Sequence, residues 1–294
     1  MQSVAELGLK GSYKGLSGVI IPCMCDTLIC MTQNWKSGIK EIPMIPFVHP
    51  QNRKLEGGVK FLMAEYSHVK EELEKICGHE ITEEAMAKSI EIYNENRKIM
   101  QEFVELVPSY LNTITPAVRN AVIKSRHFML KEEHTTLMKE LVEALKAQPA
   151  EDFKGKKVLV TGIILDNKEI LDVLEENGVA VAYDNVAQES RQFTTLVPDK
   201  ATVPSKDWQD SGLNMKLHAG LRPEKKRGAM IVEDVKRLGL DGIIYALMKF
   251  CDPEEYDYPI VKADFDDADI PSLYLEVEQE SSNAEQVRTR VQTS

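Results

Sequence analysis

Five cysteines in 294 residues are an odd and sparse set, too few to supply a disulfide framework. No run approaches the roughly 20 apolar residues of a membrane helix. Met1-Gln2-Ser3-Val4-Ala5-Glu6 is neither a basic n-region nor an apolar h-region, so a reduced, cytoplasmic setting without membrane attachment is expected. Gly-x-Gly-x-x-Gly and the Walker lysine loop are both missing, which leaves Thr161-Gly162 as half of a phosphate loop and gives a nucleotide signature no support. The six histidines show neither His-x-x-x-His nor His-Glu-x-x-His spacing, a poor fit to hydrolytic zinc, and there is no Gly-x-Ser-x-Gly elbow. Positive charge is in deficit as well. With 36 Lys and Arg against 47 Asp and Glu, the net charge of −11 argues against nonspecific nucleic-acid binding. The one basic run, Arg222 to Arg227, reads as a solvated face.

What is present points to an α/β protein with two Rossmann-like parallel-sheet domains, the first incomplete, joined by a helical segment. Residues 1–50 read as a partial α/β domain: a strand ending at Pro22, a helix near Asp26–Gly38, and an extended or edge segment at 42–48 that carries two prolines. Residues 51–150 read as helical. Val59, Phe61, Leu62, Tyr66, Val69 and Leu73 recur at helical spacing, Thr82 is a helix-start signal, and Thr115-Pro116 opens a helix expected to run past His127. A last helix of this segment is expected over about 131–147. Residues 151–294 read as a C-terminal α/β domain with strands near 156–162, 179–183, 241–248 and 272–277. Helices alternate with them, and Gly178 and Gly239 act as helix stops.

Two Cys-Asp pairs end apolar runs. Gly18-Val19-Ile20-Ile21-Pro22 leads into Cys23-Met24-Cys25-Asp26-Thr27, and Gly242-Ile243-Ile244-Tyr245-Ala246-Leu247-Met248-Lys249-Phe250 leads into Cys251-Asp252-Pro253-Glu254-Glu255. Loops at the carboxyl edge of parallel strands are where open α/β sheets bind ligands. Cys25 and Cys251 are therefore the candidate metal ligands, facing one cleft. Cys23 is a possible third, although alternate residues of a strand diverge. Cys23, Cys30 and Cys77 otherwise read as small buried hydrophobes. Asp252 is expected to cap a helix with Pro253 at its first position, which would set Cys251 beside a positive helix end. Paired carboxylates there are also compatible with acid–base work or with a hard cation. Gln188, Glu189, Ser190 and Arg191 follow another strand end, and with Asp26 and Asp252 they are possible cleft residues. The alternative for that block is a capped loop starting a helix.

Taken together, Ile21-Pro22-Cys23-Met24-Cys25-Asp26-Thr27-Leu28, Gln33-Asn34-Trp35, Gln188-Glu189-Ser190-Arg191-Gln192-Phe193, Lys249-Phe250-Cys251-Asp252-Pro253-Glu254-Glu255-Tyr256-Asp257-Tyr258-Pro259 and Arg288-Thr289-Arg290 resemble the 2-hydroxyacyl-CoA dehydratase and benzoyl-CoA reductase family. They resemble most the dehydratase β subunit (D-component). The likeness runs over nearly the whole chain, and the block from Phe250 to Pro259 is its most specific piece. The resemblance implies an iron–sulfur subunit paired with a homologous α subunit, a [4Fe–4S] cluster on three cysteines, and an ATP-dependent iron–sulfur activator protein that delivers a low-potential electron. It implies ketyl-radical elimination of water from (R)-2-hydroxyacyl-CoA to enoyl-CoA, in anaerobic amino-acid fermentation. Of the cluster ligands, Cys25 and Cys251 match. The family's other ligand stands ahead of the Cys-Asp-Thr loop, so a copy truncated at both ends, with an incomplete ligand set, is expected. Flavin is compatible with the family but not indicated by the residues, and no residue is assigned to catalysis. Two alternatives stand beside this reading: a cluster-free truncated scaffold subunit, and a subunit of the benzoyl-CoA reductase type.

Overall fold

Val158-Leu159-Val160, Val179-Ala180-Val181 and Gly242-Ile243-Ile244 are apolar along their whole length and mostly β-branched or small, the pattern of strands covered on both faces. In the computed structural model, which describes residues 2–50, 52, 55–198, 227–278 and 284–293, they form a four-stranded parallel sheet. The chain divides into two compact units, one of residues 1–90 with Val197 and Pro198, the other of the remaining described residues.

The first unit begins with α1 (Gln2–Leu9). Strand β1 (Val19–Cys23) pairs in parallel with β2 (Met44–Val48), with Ile21 opposite Pro46 and Cys23 opposite Val48. Proline is tolerated in β2 because a two-stranded sheet has only edges. Helix α2 (Asp26–Gly38) connects the two strands and buries Met31 and Trp35 against Ile21 and Ile39. Trp35 stacks on Tyr13 at 5.6 Å, and its Nε1–H donates to the carbonyl of Ile42 at 3.2 Å. Helix α3 (Glu56–Cys77) follows, and Glu65 on it accepts from the amide of Val48 at 2.9 Å.

Helix α4 (Glu83–Leu106) starts where expected, with Thr82 Oγ1 accepting from the amide of Ala85 at 3.2 Å. Its carboxyl half, α5 (Pro116–Ser125) and α6 (Lys131–Lys146) bury Phe103, Ile123 and Val142 in the second unit. Thr115 caps α5 with Pro116 at its start. That helix does not run past His127. The amides of His127 and Phe128 donate to Lys124 and Ser125, three residues back rather than four, and this tightened turn ends the helix.

The sheet order is β4 (Val179–Val186), β3 (Lys156–Gly162), β5 (Gly242–Met248), β6 (Ser272–Val277). Helices cover both faces. Successive residues alternate: Val158, Val160, Ile244 and Ala246 pack towards α7 (Lys168–Glu176) and α10 (Ala284–Thr293). Leu159, Ile243, Tyr245 and Leu247 pack towards α8 (Arg227–Leu238) and α9 (Asp252–Asp267). Strand β4 extends past Tyr183, since Asp184, Asn185 and Val186 continue the ladder opposite Val160, Thr161 and Gly162. Of the basic run, residues 222–226 lie outside the described residues. Arg227 is not part of a solvated face: it is buried, because it has carboxylates to meet.

Candidate functional site

From β3 the chain moves outward to β4, then returns to the other side of β3 to lay down β5 and β6. This reversal is the topological switch point at which open α/β sheets form their ligand crevice. The two strands part at Gly162 and Ala246. Gly162 has φ +148°, and a Cβ there would stand 2.1 Å from the carbonyl oxygen of Ala246, so only glycine permits this approach.

Cys251 follows at once on the β5 side. Its amide donates to the carbonyl of Met248 at 3.0 Å, closing a turn that holds Phe250 at φ +65°, with its ring 81% exposed. A bulky residue in the left-handed region is strained, and such strain persists where the surroundings over-determine the backbone. Cys251 occupies the cap position of α9, half-buried, and its side chain does not cap the helix. Here the expectation for Asp252 needs correcting. Asp252 is the first helical residue rather than the cap, and Pro253 stands one place further in. The helix starts one residue early because the backbone of Cys251, not the Asp252 side chain, receives the first bonds: the amides of Glu254 and Glu255 both donate to the Cys251 carbonyl at 3.0 Å. Asp252 is exposed in the first turn, where the helix dipole favours a carboxylate.

Below this helix end lies a buried ionic cluster. Arg227 donates to both oxygens of Glu254, at 3.0 and 3.1 Å, and to the hydroxyl of Thr161 at 2.9 Å. Tyr245 donates to Glu254 at 2.7 Å, and Arg191 stands 3.9 Å from the same carboxylate. Burial raises the Glu254 carboxyl, but Arg227 and Arg191 outweigh it and hold the group below the ordinary carboxylate range. Burial and the charge of Arg227 press Arg191 down to about 9. Arg191 also donates to the carbonyls of Asn185 at 2.8 Å and Gly162 at 2.7 Å, tying the ends of β3 and β4 together. Arg227 lies 27 positions from Glu254 and 66 from Thr161, and charge alternation along the chain gives no hint of the pairing.

The block after β4 is placed as follows. Glu189, Ser190 and Arg191 are buried, and Gln188 is exposed. Arg119 on α5 pairs with both Asp184 and Glu189. Burial first, and then the charge of Asp184, push the Glu189 carboxyl up against the opposing pull of Arg119. Ser190 Oγ donates to the carbonyl of Asp184 at 2.8 Å, and its amide to the Asp184 carboxylate at 3.0 Å. This block is a built-in loop whose polar groups are spent on one another. Outside it lies a cavity of about 280 Å³, bounded by Asn120, Lys124, His127, Ile164, Gln188 and Gln192 among others. It opens at the carboxyl edge of β3 and β4.

The first unit repeats the Cys251 arrangement. Cys25 caps α2 in an extended conformation (φ −145°, ψ 167°), half-buried, without a capping bond from its side chain, and Asp26 is the exposed first helical residue. Cys23 is buried in β1 with its thiol on the carbonyl of Ile21 at 3.9 Å. Cys30 and Cys77 are exposed, not buried, because they lie on outer faces of α2 and α3. No disulfide joins the five. A thiol at a helix start suits a soft metal, so each loop fits one iron ligand by donor chemistry. Cys25 and Cys251 belong to different units, and among the described residues no three His, Cys, Asp or Glu side chains gather as a metal site. None of the described helices is long and apolar enough to cross a membrane.

Comparison with known proteins adds the following. A family model described as 2-hydroxyglutaryl-CoA dehydratase, D-component, matches residues 1–293. The chain is 45% identical to the (R)-phenyllactyl-CoA dehydratase beta subunit of Clostridium sporogenes, over 99% of this chain and 78% of that protein. It is also 45% identical to lactoyl-CoA dehydratase subunit beta of Anaerotignum propionicum, over 100% of this chain and 78% of that one. To the beta subunit of (R)-2-hydroxyglutaryl-CoA dehydratase of Acidaminococcus fermentans the identity is 37%, over 99% and 78%.

Proposed function

The chain belongs to the 2-hydroxyglutaryl-CoA dehydratase D-component family, as a subunit of a lyase-type dehydratase, and from that premise we propose that it is the iron–sulfur β-type subunit of an enzyme converting an (R)-2-hydroxyacyl-CoA to the enoyl-CoA. The observation that carries this reading is the repetition: twice, a short loop after a parallel strand puts a cysteine at the cap of the next helix, with an aspartate as the first helical residue. Cys25 and Cys251 would each contribute one ligand to a [4Fe–4S] cluster. A donor beyond these two loops completes the set. Bound there, the cluster supplies low-potential one-electron chemistry.

The chain's own residues hold the ligands in place. The Arg227–Glu254 pair fixes the first turn of α9 under Cys251, and Gly162 lets the two central strands close beside it. The turn between β5 and α9 holds Phe250 at a left-handed angle immediately before Cys251. A homologous α subunit is the partner, an ATP-dependent activator protein supplies the electron, and the assembly works in the cytoplasm. The substrate's acyl group is one of the 2-hydroxyacyl class.

The test is turnover. The chain is assembled with its α-type partner and the activator under anaerobic conditions with ATP, and (R)-2-hydroxyacyl-CoA thioesters of differing chain are supplied. Formation of enoyl-CoA supports the reading. Reduction of benzoyl-CoA with no dehydration would move the chain to the reductase branch. Turnover by the α subunit and activator without this chain would leave it a scaffold.

A further inference from the structure

Several arginines of the second unit meet carboxylates. Arg119 meets two carboxylates, Arg227 meets Glu254 and Asp257, and Arg237 meets Glu105 and Asp234. Arg97 on α4, Arg126 after α5 and Lys131 at the start of α6 meet no carboxylate among the described residues. Arg97 is 9% exposed and Arg126 is 6% exposed. Their bonds go to neutral groups. Arg97 donates to Asn94 at 3.3 Å, and its Nε is buried with no partner. Arg126 donates to Asn96 at 2.9 Å and to Gln192 at 3.3 Å, and Lys131 donates to the carbonyl of Arg126.

The three cations are close together. Arg97 and Lys131 both lie over the ring of Tyr93, at 5.9 and 5.5 Å from its centre. Tyr93 is 44% exposed and Lys131 is partly exposed, so the group opens to solvent. Burial first, then Arg97, lowers Arg126 to about 10, and burial and Arg126 lower Lys131. A set of like charges held together out of water in a chain of net charge −11 is an arrangement that an oxyanion would complete.

We propose that Arg97, Arg126 and Lys131, with Tyr93 at the rim, form a binding site for a phosphoryl group. Guanidinium forks suit phosphate oxygens, and Arg97 Nε and the remaining guanidinium N–H groups are the donors. The phosphoryl group comes from free phosphate or from the phosphate end of a coenzyme A thioester. Only the second source rests on the acyl-CoA reading above.

The experiment is calorimetric titration of the full chain with orthophosphate, with coenzyme A and with pantetheine, which has no phosphate, all at one ionic strength set with chloride. The variants are Lys131→Gln, at a partly exposed position that keeps the fold, and Arg97→Gln. Orthophosphate and coenzyme A are expected to bind, each about tenfold weaker in either variant, and pantetheine not at all. Orthophosphate binding that both variants weaken, with coenzyme A failing to compete, would assign the site to free phosphate. Orthophosphate and coenzyme A binding that neither variant moves would overturn the phosphoryl site and leave the dehydratase reading standing. Heats indistinguishable from chloride for both phosphates would also overturn it.

Discussion

Removing Glu254 is expected to loosen the sheet edge that carries Cys251. Its carboxylate is buried and takes two N–H bonds from Arg227 and one O–H bond from Tyr245, with Arg191 close by. In Glu254→Ala, Arg191 and Arg227 stay buried, and of the described carboxylates Asp257 stays 3.5 Å from Arg227. Breaking a buried pair from one side costs about 3–5 kcal/mol, because the remaining charge is uncompensated. That is a large share of the roughly 5–15 kcal/mol that holds a domain folded. Hydrogen exchange by mass spectrometry reads the effect locally. Amides of 242–267 should exchange about 10²- to 10⁴-fold faster in the variant, at about 1.4 kcal/mol per tenfold. Amides of β1 and α2, in the other unit, should be unchanged. Removing Arg227 as well should recover part of the loss. Exchange within twofold of the unaltered protein over 242–267 would refute the reasoning.

Arg119→Met strands Asp184 and Glu189 in the interior and should cost about 3–5 kcal/mol in urea unfolding; a loss under about 1 kcal/mol would contradict the assigned pairing. Gly162→Ala drives a Cβ against the Ala246 carbonyl at φ +148° and should destabilise by about 3 kcal/mol, seen as a lowered midpoint. Glu151 gives a pH signature. Burial raises its carboxyl, but bonds from Thr113 Oγ and the amides of Asn112 and Thr113 win, and the group lies below the ordinary range. A lowered carboxylate stabilises the fold above its unfolded pKa, about 4.3, and loses that contribution as pH falls through the folded value. Glu151→Gln should therefore cost about 1 kcal/mol at pH 7, limited by solvent screening, and the difference should vanish in acid. A constant difference across pH would contradict this.

The central strands β3 and β5 are legible because their cores are buried on both faces and read as apolar runs ended by glycine or a polar loop. The helix starts after Cys25 and Cys251 are legible for the same kind of reason: proline and carboxylates are local signals with a fixed place in a first turn. The ionic clusters are not legible. Arg227 meets Glu254 across 27 positions and Arg119 meets Glu189 across 70, and such distances carry no sequence period. In Arg222–Arg227 the buried residue looks like its exposed-type neighbours, because burial of an arginine is decided by its partner. The end of α5 is likewise set by a turn whose bonds, not its composition, differ from helix. Phe250 at a positive φ follows from the turn between β5 and α9, where residue identity alone favours the extended region.

The most direct measurement is iron and acid-labile sulfide in the complex with the α-type partner, purified and reconstituted anaerobically, for the unaltered chain and for Cys25→Ser and Cys251→Ser. A hydroxyl is a poor ligand for a soft metal. The account predicts about four irons bound to this subunit, with each serine variant losing them while the partner's own content holds. The same iron content in the unaltered and both serine complexes would contradict it.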